Sequence, residues 1–116
     1  MAQSIKLNND MYWDISAIKG MCVFTINGGA SKSVYLPSGF RGILVSIGLV
    51  DGANTRGAWY LSAQGSGAIN YRAVDNSNAS NLAFTTSTNT LTIANNSNAS
   101  TYGATTFFVI GNTNIS

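Results

Sequence analysis

Reactive side chains are scarce in this chain, and those present are poorly spaced for chemistry. There is no histidine, and the four acids are all aspartates: Asp10, Asp14, Asp51 and Asp75. General acid–base catalysis near neutral pH draws mostly on His and carboxylates. A Ser–His–Asp triad is therefore excluded. The one lysine flanked by serines lies in Ser31-Lys32-Ser33, and on an extended strand it faces away from both neighbours. Glycoside cleavage usually needs two carboxylates at a fixed separation. Here Asp10 and Asp14 stand near the start, while Asp51 and Asp75 stand in turn-like segments. Cys22 has no second cysteine to pair with, and it reads as a buried thiol in a strand. Calcium accepts Asp, Asn and backbone oxygens, which Asp51-Gly52-Ala53-Asn54-Thr55 and Asp75-Asn76-Ser77-Asn78 offer. The same residues are ordinary turn chemistry. The expectation is a protein that is not an enzyme, with no catalytic residue, no metal and no cofactor.

The abundant polar groups bind without reacting. Asn, Ser and Thr make up about a third of the 116 residues. Their amides and hydroxyls donate and accept hydrogen bonds without net charge. Charged residues are only 9% of the chain, against about 25% in an ordinary domain. Such a surface is either covered by neutral polar groups or buried against another chain, and both are expected. Net charge is +2, with Lys6, Lys19, Lys32, Arg41, Arg56 and Arg72 scattered. No basic stripe forms, so no nucleic-acid partner is expected. Asn8, Asn9 and Asp10 interrupt the first apolar run, so no secretory leader is expected. No run reaches the roughly 20 apolar residues of a membrane helix, and no membrane insertion is expected.

These groups must be carried by strands. Met11, Trp13 and Ile15 alternate with polar neighbours, and Cys22, Phe24 and Ile26 alternate with Val23, Thr25 and Asn27. This period of two predicts sheet. Further strands are predicted over 33–36, 42–50, 58–63, 68–74, 82–86, 90–94 and 105–110. Gly, Asn and Pro clusters separate them. Only one helical turn, over 16–19, is predicted. Strands repeating every 8–12 residues or so predict one all-β domain over 1–116, an antiparallel β-sandwich of jelly-roll type, with 1–19 as an N-terminal attachment segment. The runs 42–50 and 105–110 are apolar on both faces, which predicts strands covered on both sides. Because outer sandwich faces normally meet water, the second cover is expected to be another subunit. Val109 is taken as a residue of that interface.

Two features mark a candidate recognition surface. Asn76-Ser77-Asn78-Ala79-Ser80 recurs twenty residues later as Asn96-Ser97-Asn98-Ala99-Ser100. A hairpin between the copies would set both at one pole of the domain. Asn76, Asn78, Asn96 and Asn98 are the candidate ligand groups. Trp59 and Tyr60 are the second candidate, because neighbours on a strand face opposite sides and one of them must leave the inner face. Asn-x-Ser sequons at Asn78, Asn95, Asn98 and Asn114 read as by-products of composition.

The stretches Phe40-Arg41-Gly42-Ile43-Leu44-Val45, Arg56-Gly57-Ala58-Trp59-Tyr60-Leu61 and Ser87-Thr88-Asn89-Thr90-Leu91-Thr92-Ile93-Ala94-Asn95 carry a resemblance. The chain resembles small β-rich domains at the distal ends of tail or head fibres in gut-bacterial phages and prophages. In those domains a similar Thr-Asn-Thr-Leu-Thr-Ile-x-Asn segment leads to a variable polar loop and a final apolar strand. The resemblance covers about residues 40–111 and transfers no catalytic residue. It implies a homotrimeric receptor-binding domain of the virion, made in the host cytoplasm. Its implied partners are other virion proteins and a bacterial surface glycan or protein. The alternatives are a structural virion protein, such as a capsid decoration or fibre cap, and a cellular lectin or adhesin module.

Overall fold

A computed structural model describes residues 4–7, 11–14, 20–48, 53–98, 103–113 and 115, the first two segments by backbone alone. The described residues form ten strands: β1 (Ser4–Leu7), β2 (Met11–Asp14), β3 (Gly20–Ile26), β4 (Ser31–Tyr35), β5 (Arg41–Gly48), β6 (Arg56–Ala63), β7 (Ile69–Asn78), β8 (Leu82–Ser87), β9 (Thr90–Asn95) and β10 (Thr105–Gly111). Every strand from β2 onward falls where period-two alternation predicts one. The helical turn predicted over 16–19, the end of the 42–50 run and the sequon at Asn114 lie outside the described residues. So do Asp51, Gly52, Ala99 and Ser100.

All pairings are antiparallel. A five-stranded sheet runs β3-β10-β5-β6-β7, a three-stranded sheet runs β4-β9-β8, and β1 pairs with β2. The last long strand, β10, lies between β3 and β5. Strand β9 lies between β4 and β8. The ribbon β3–β4 is thus matched, sheet by sheet, by the ribbon β9–β10. Strands β5, β6 and β7 follow one another within the large sheet.

The core lies between the two sheets. Ile26, Leu44, Trp59, Leu61, Phe107 and Val109 come from the large sheet, and Val34, Leu91 and Ile93 from the small one. Both open edges are closed by aromatics. Phe24 stacks on Phe107 with centroids 5.4 Å apart, and Lys32 Nζ lies over the Phe24 ring at 5.4 Å. At the other edge Phe84 meets Trp59 at 4.8 Å and Tyr71 at 5.2 Å, each edge-to-face, a geometry that suits the ring quadrupoles.

One sequence expectation changes here. Val109 faces this core and is fully buried within the chain, so it is not an interface residue. Strand β5 is central, as its apolar run predicts, but within one chain only its Leu44–Ser46 side is covered. Ile43 and Ile47 are exposed. The physical reason is the layer count: two sheets bury one face each.

Glycine makes the close packing near the chain end feasible. Gly20, Gly111 and Gly42 stand in register on β3, β10 and β5. A Cβ on Gly111 would run into the ring of buried Phe40, and one on Gly42 into the Ile110 carbonyl. We expect Gly111→Ala to destabilise the fold by about 1–3 kcal/mol, the usual cost of overpacking. Gly65→Ala, where a Cβ meets nothing within 4 Å, should be neutral or slightly stabilising. Urea unfolding of the two variants tests the contrast.

Candidate functional site

The hairpin β8–β9 decides where the repeated pentapeptides lie. Its two-residue turn is Thr88-Asn89, and Asn89 takes a positive φ of 55°, which Asn tolerates. At the hairpin's other end Leu82 pairs with Asn95. Just beyond, the Asn96 N–H donates to the Asn81 carbonyl at 2.8 Å. The two pentapeptides therefore leave the same end of one hairpin. Asn76 and Asn78 close β7 and are exposed, Ala79 is buried, and Ser80 is exposed. Asn96 and Asn98 are exposed, while Ser97 is buried. The four candidate amides thus share one pole with open surfaces.

Asparagines next to the candidates hold this pole in place. Asn95 is fully buried. Its Nδ2 donates to the Ile26 carbonyl at 3.0 Å and the Gly103 carbonyl at 2.8 Å. Its Oδ1 accepts the Ser97 N–H at 3.1 Å. The Asn95 sequon is therefore inside the core. Asn81 Nδ2 donates to the Ala53 carbonyl at 2.6 Å. At the opposite pole Asn89 Nδ2 donates to the Leu36 carbonyl at 2.9 Å. The Asn89 N–H donates to the Gly67 carbonyl at 2.8 Å. Gly67 has φ +89°, and a Cβ there would meet Thr88 and Asn89 at 2.6 Å. Composition alone does not separate these hydrogen-bonded asparagines from the exposed ones. The signal that separates them is an Asn that ends an alternating apolar strand in phase with it, as Asn95 follows Leu91 and Ile93.

The Asp75 carboxylate braces its own strand, where the register of β7 against β6 shifts. Its Oδ1 accepts the Ser77 hydroxyl at 2.9 Å and the Ser77 N–H at 3.2 Å. The backbone bond first, then the hydroxyl, hold its pKa below the usual aspartate value, against a small opposing effect of burial. A lowered folded pKa means these bonds are complete above the unfolded value. They are lost as pH falls through the folded one.

The aromatic pair divides as alternation requires. Trp59 is 5% exposed and packs in the core against Phe84, so it has no open face to offer a ligand. Tyr60 is 58% exposed on the outer face of the large sheet. It sits in an open concavity of about 710 Å³ on β5, β6 and β7, which sequence reading did not find. Lys32 faces away from Ser31 and Ser33, toward Phe24, and Ser33 Oγ instead meets Thr92 Oγ1 at 2.8 Å.

The two outer faces differ in chemistry. On the small sheet the outward rungs are Ser33–Thr92–Thr85 and Tyr35–Thr90–Ser87. On the large sheet they are Met21–Ile110–Ile43–Tyr60, Val23–Phe108–Val45–Ala58 and Thr25–Thr106–Ile47. Met21 is 64% exposed and Ile47 51%. In comparisons with known proteins, the chain matches no family model, no curated protein and no solved structure.

Two outcomes follow from this geometry. Asn95→Ala should cost about 2–4 kcal/mol, because it leaves two buried carbonyls unpaired and opens a void. Asn98→Ala should change stability by less than about 0.5 kcal/mol. Thermal unfolding measures both. In an NMR titration the Asp75 carboxyl should titrate below an ordinary aspartate, and Ser77→Ala should move its midpoint upward.

Proposed function

We propose that this chain is a non-enzymatic recognition module of a phage virion that works as a homotrimer at the end of a fibre. The observation that carries the reading is the outer face of the large sheet. Strands β3, β10 and β5 present Met21, Val23, Phe108, Ile110, Val45 and Ile47 outward. Among the described residues, Arg41, at one end, is the only charged residue that these three strands themselves turn outward. The opposite outer face is a hydroxyl surface. A sheet face this apolar on a small domain marks a protein contact. Occupancy by further copies of the chain would cover three such faces at once and explain the low total charge.

The resemblance to fibre-end domains supports the virion reading, with assembly in the host cytoplasm and attachment to other virion proteins through residues 1–19. The pairing of ribbon β3–β4 with ribbon β9–β10 supports the jelly-roll reading. The continuous β5–β6–β7 meander is this chain's own variation. Asn76 and Asn78, at the end of β7, and Asn96 and Asn98, in the loop after β9, are the groups we assign to a bacterial surface glycan. Each neutral hydrogen bond contributes on the order of 1 kcal/mol, so three copies acting together supply the avidity.

Sedimentation equilibrium should give three times the chain mass at micromolar concentration. Ile47→Asp should yield a folded monomer, because it buries a charge only in the assembly. Val109→Asp should unfold the chain itself. The double variant Asn78→Ala, Asn98→Ala should remain trimeric, keep its melting temperature and lose binding to host cells. A wild-type monomer would overturn the assembly. Unchanged cell binding by the double variant would move recognition away from the loops.

A further inference from the structure

We infer that the concavity on β5, β6 and β7 is a second binding site, for an acidic saccharide. Two adjacent outward rungs build it: Arg41–Ser62–Asn70 and Ile43–Tyr60–Arg72. Strands stand about 4.8 Å apart and same-face residues about 6.8 Å along a strand. The two arginines therefore occupy opposite corners of the hollow, with Tyr60 and Ser62 on the strand between them.

Three features select the ligand class. First, neither guanidinium has a hydrogen-bond or ion-pair partner among the described residues, and no acid lines the hollow. Two unneutralised guanidiniums on one surface call for an anion, and a planar carboxylate suits their fork of donors. Second, the exposed Tyr60 ring beside Ile43 offers an apolar platform. A bare inorganic anion has no use for it, whereas the C–H face of a pyranose ring does. Third, the Ser62 hydroxyl and Asn70 amide supply neutral donors and acceptors of the kind that sugar hydroxyls need. The volume, about 710 Å³, falls within the range of small-ligand pockets, about 300–1,000 Å³, and has room for more than one sugar ring.

The site shares Ile43 and Tyr60 with one apolar rung and extends from there to the sheet edge. Its polar rung lies at the Arg41 end of β5, and its third strand is the sheet edge, β7. It needs one chain only and is separate from the paired Asn loops. Its ligand class rests on reading the chain as a glycan-recognising module, and the experiment separates the two.

The test is calorimetric titration of the whole chain at low salt with three probes: a glucuronic-acid-containing tetrasaccharide, maltotetraose and inorganic phosphate. The acidic tetrasaccharide should bind, the neutral one should bind at least about tenfold more weakly, and the affinity should fall as salt rises. Arg41→Gln and Arg72→Gln should each weaken it about tenfold or more, the usual worth of a charged hydrogen bond. Tyr60→Ser should weaken it too, without changing the response to phosphate. The Asn78→Ala, Asn98→Ala variant should bind the acidic probe like wild type. The inference fails if the acidic tetrasaccharide does not bind or if the arginine variants bind it unchanged. It also fails if phosphate alone displaces the saccharide stoichiometrically at equal concentration. Loss of acidic binding in the loop variant alone would overturn it while leaving the proposed function standing.

Discussion

The Asn95 carboxamide stands where both sheets exchange chain. It is the last residue of β9, in the small sheet, yet its side chain reaches the end of β3 and the segment entering β10 in the large sheet. Its own backbone holds the β3–β4 turn, with the N–H donating to Ala30 and the carbonyl accepting from Gly29. Thr105 Oγ1 adds a bond to the Gly103 carbonyl beside it. In a dry interior an unpaired amide is costly, so the arrangement has to be nearly complete or absent. That condition fixes how one ribbon, β3–β4, is laid against the other, β9–β10. A hydrophobic core alone would tolerate several such alignments.

From that alignment the surfaces follow. With β10 placed between β3 and β5, the outward residues of four strands form continuous apolar rungs, from Met21 to Tyr60 and from Val23 to Ala58. With β9 placed between β4 and β8, the outward residues there are mostly Ser and Thr, with Tyr35, Ala83 and Ala94 among them. The same period-two alternation underlies both sheets. The difference is what the second face carries. A face that remains apolar after the core is satisfied is the feature on which the proposed assembly rests.

The proposed recognition groups sit at the margins of these sheets. The loop amides are presented by strand ends that Asn81 and Asn95 tie down, so exposed side chains project from an ordered base. The arginine hollow arises differently, from a flat stretch of sheet whose edge strand β7 carries exposed residues from Asn70 to Asn78. Neither feature involves a reactive group, in keeping with a chain that has no histidine. Both use residues able to satisfy a polar ligand one weak contact at a time.

Strand positions were legible because alternation is a local property, written in residues i, i+2 and i+4. The shared pole of the Asn-Ser-Asn-Ala-Ser copies was legible too, because a hairpin is local. Pairing partners were not: Phe107 meets Phe24 and Ser46, far away in sequence, and nothing near Phe107 specifies them. The same limit misassigned Val109, since apolar residues on both faces of a strand do not say which face meets the chain's own core. It also hid the arginine hollow, because Arg41, Tyr60 and Arg72 become neighbours only through the register of three strands. What the sequence determined by itself was the run of strands from β2 onward, the polar character of the turns and the absence of histidine and glutamate. The tertiary structure alone decided which apolar face was spent inside and which asparagines were buried, because those choices depend on long-range register, and a slip of one residue would exchange the two faces.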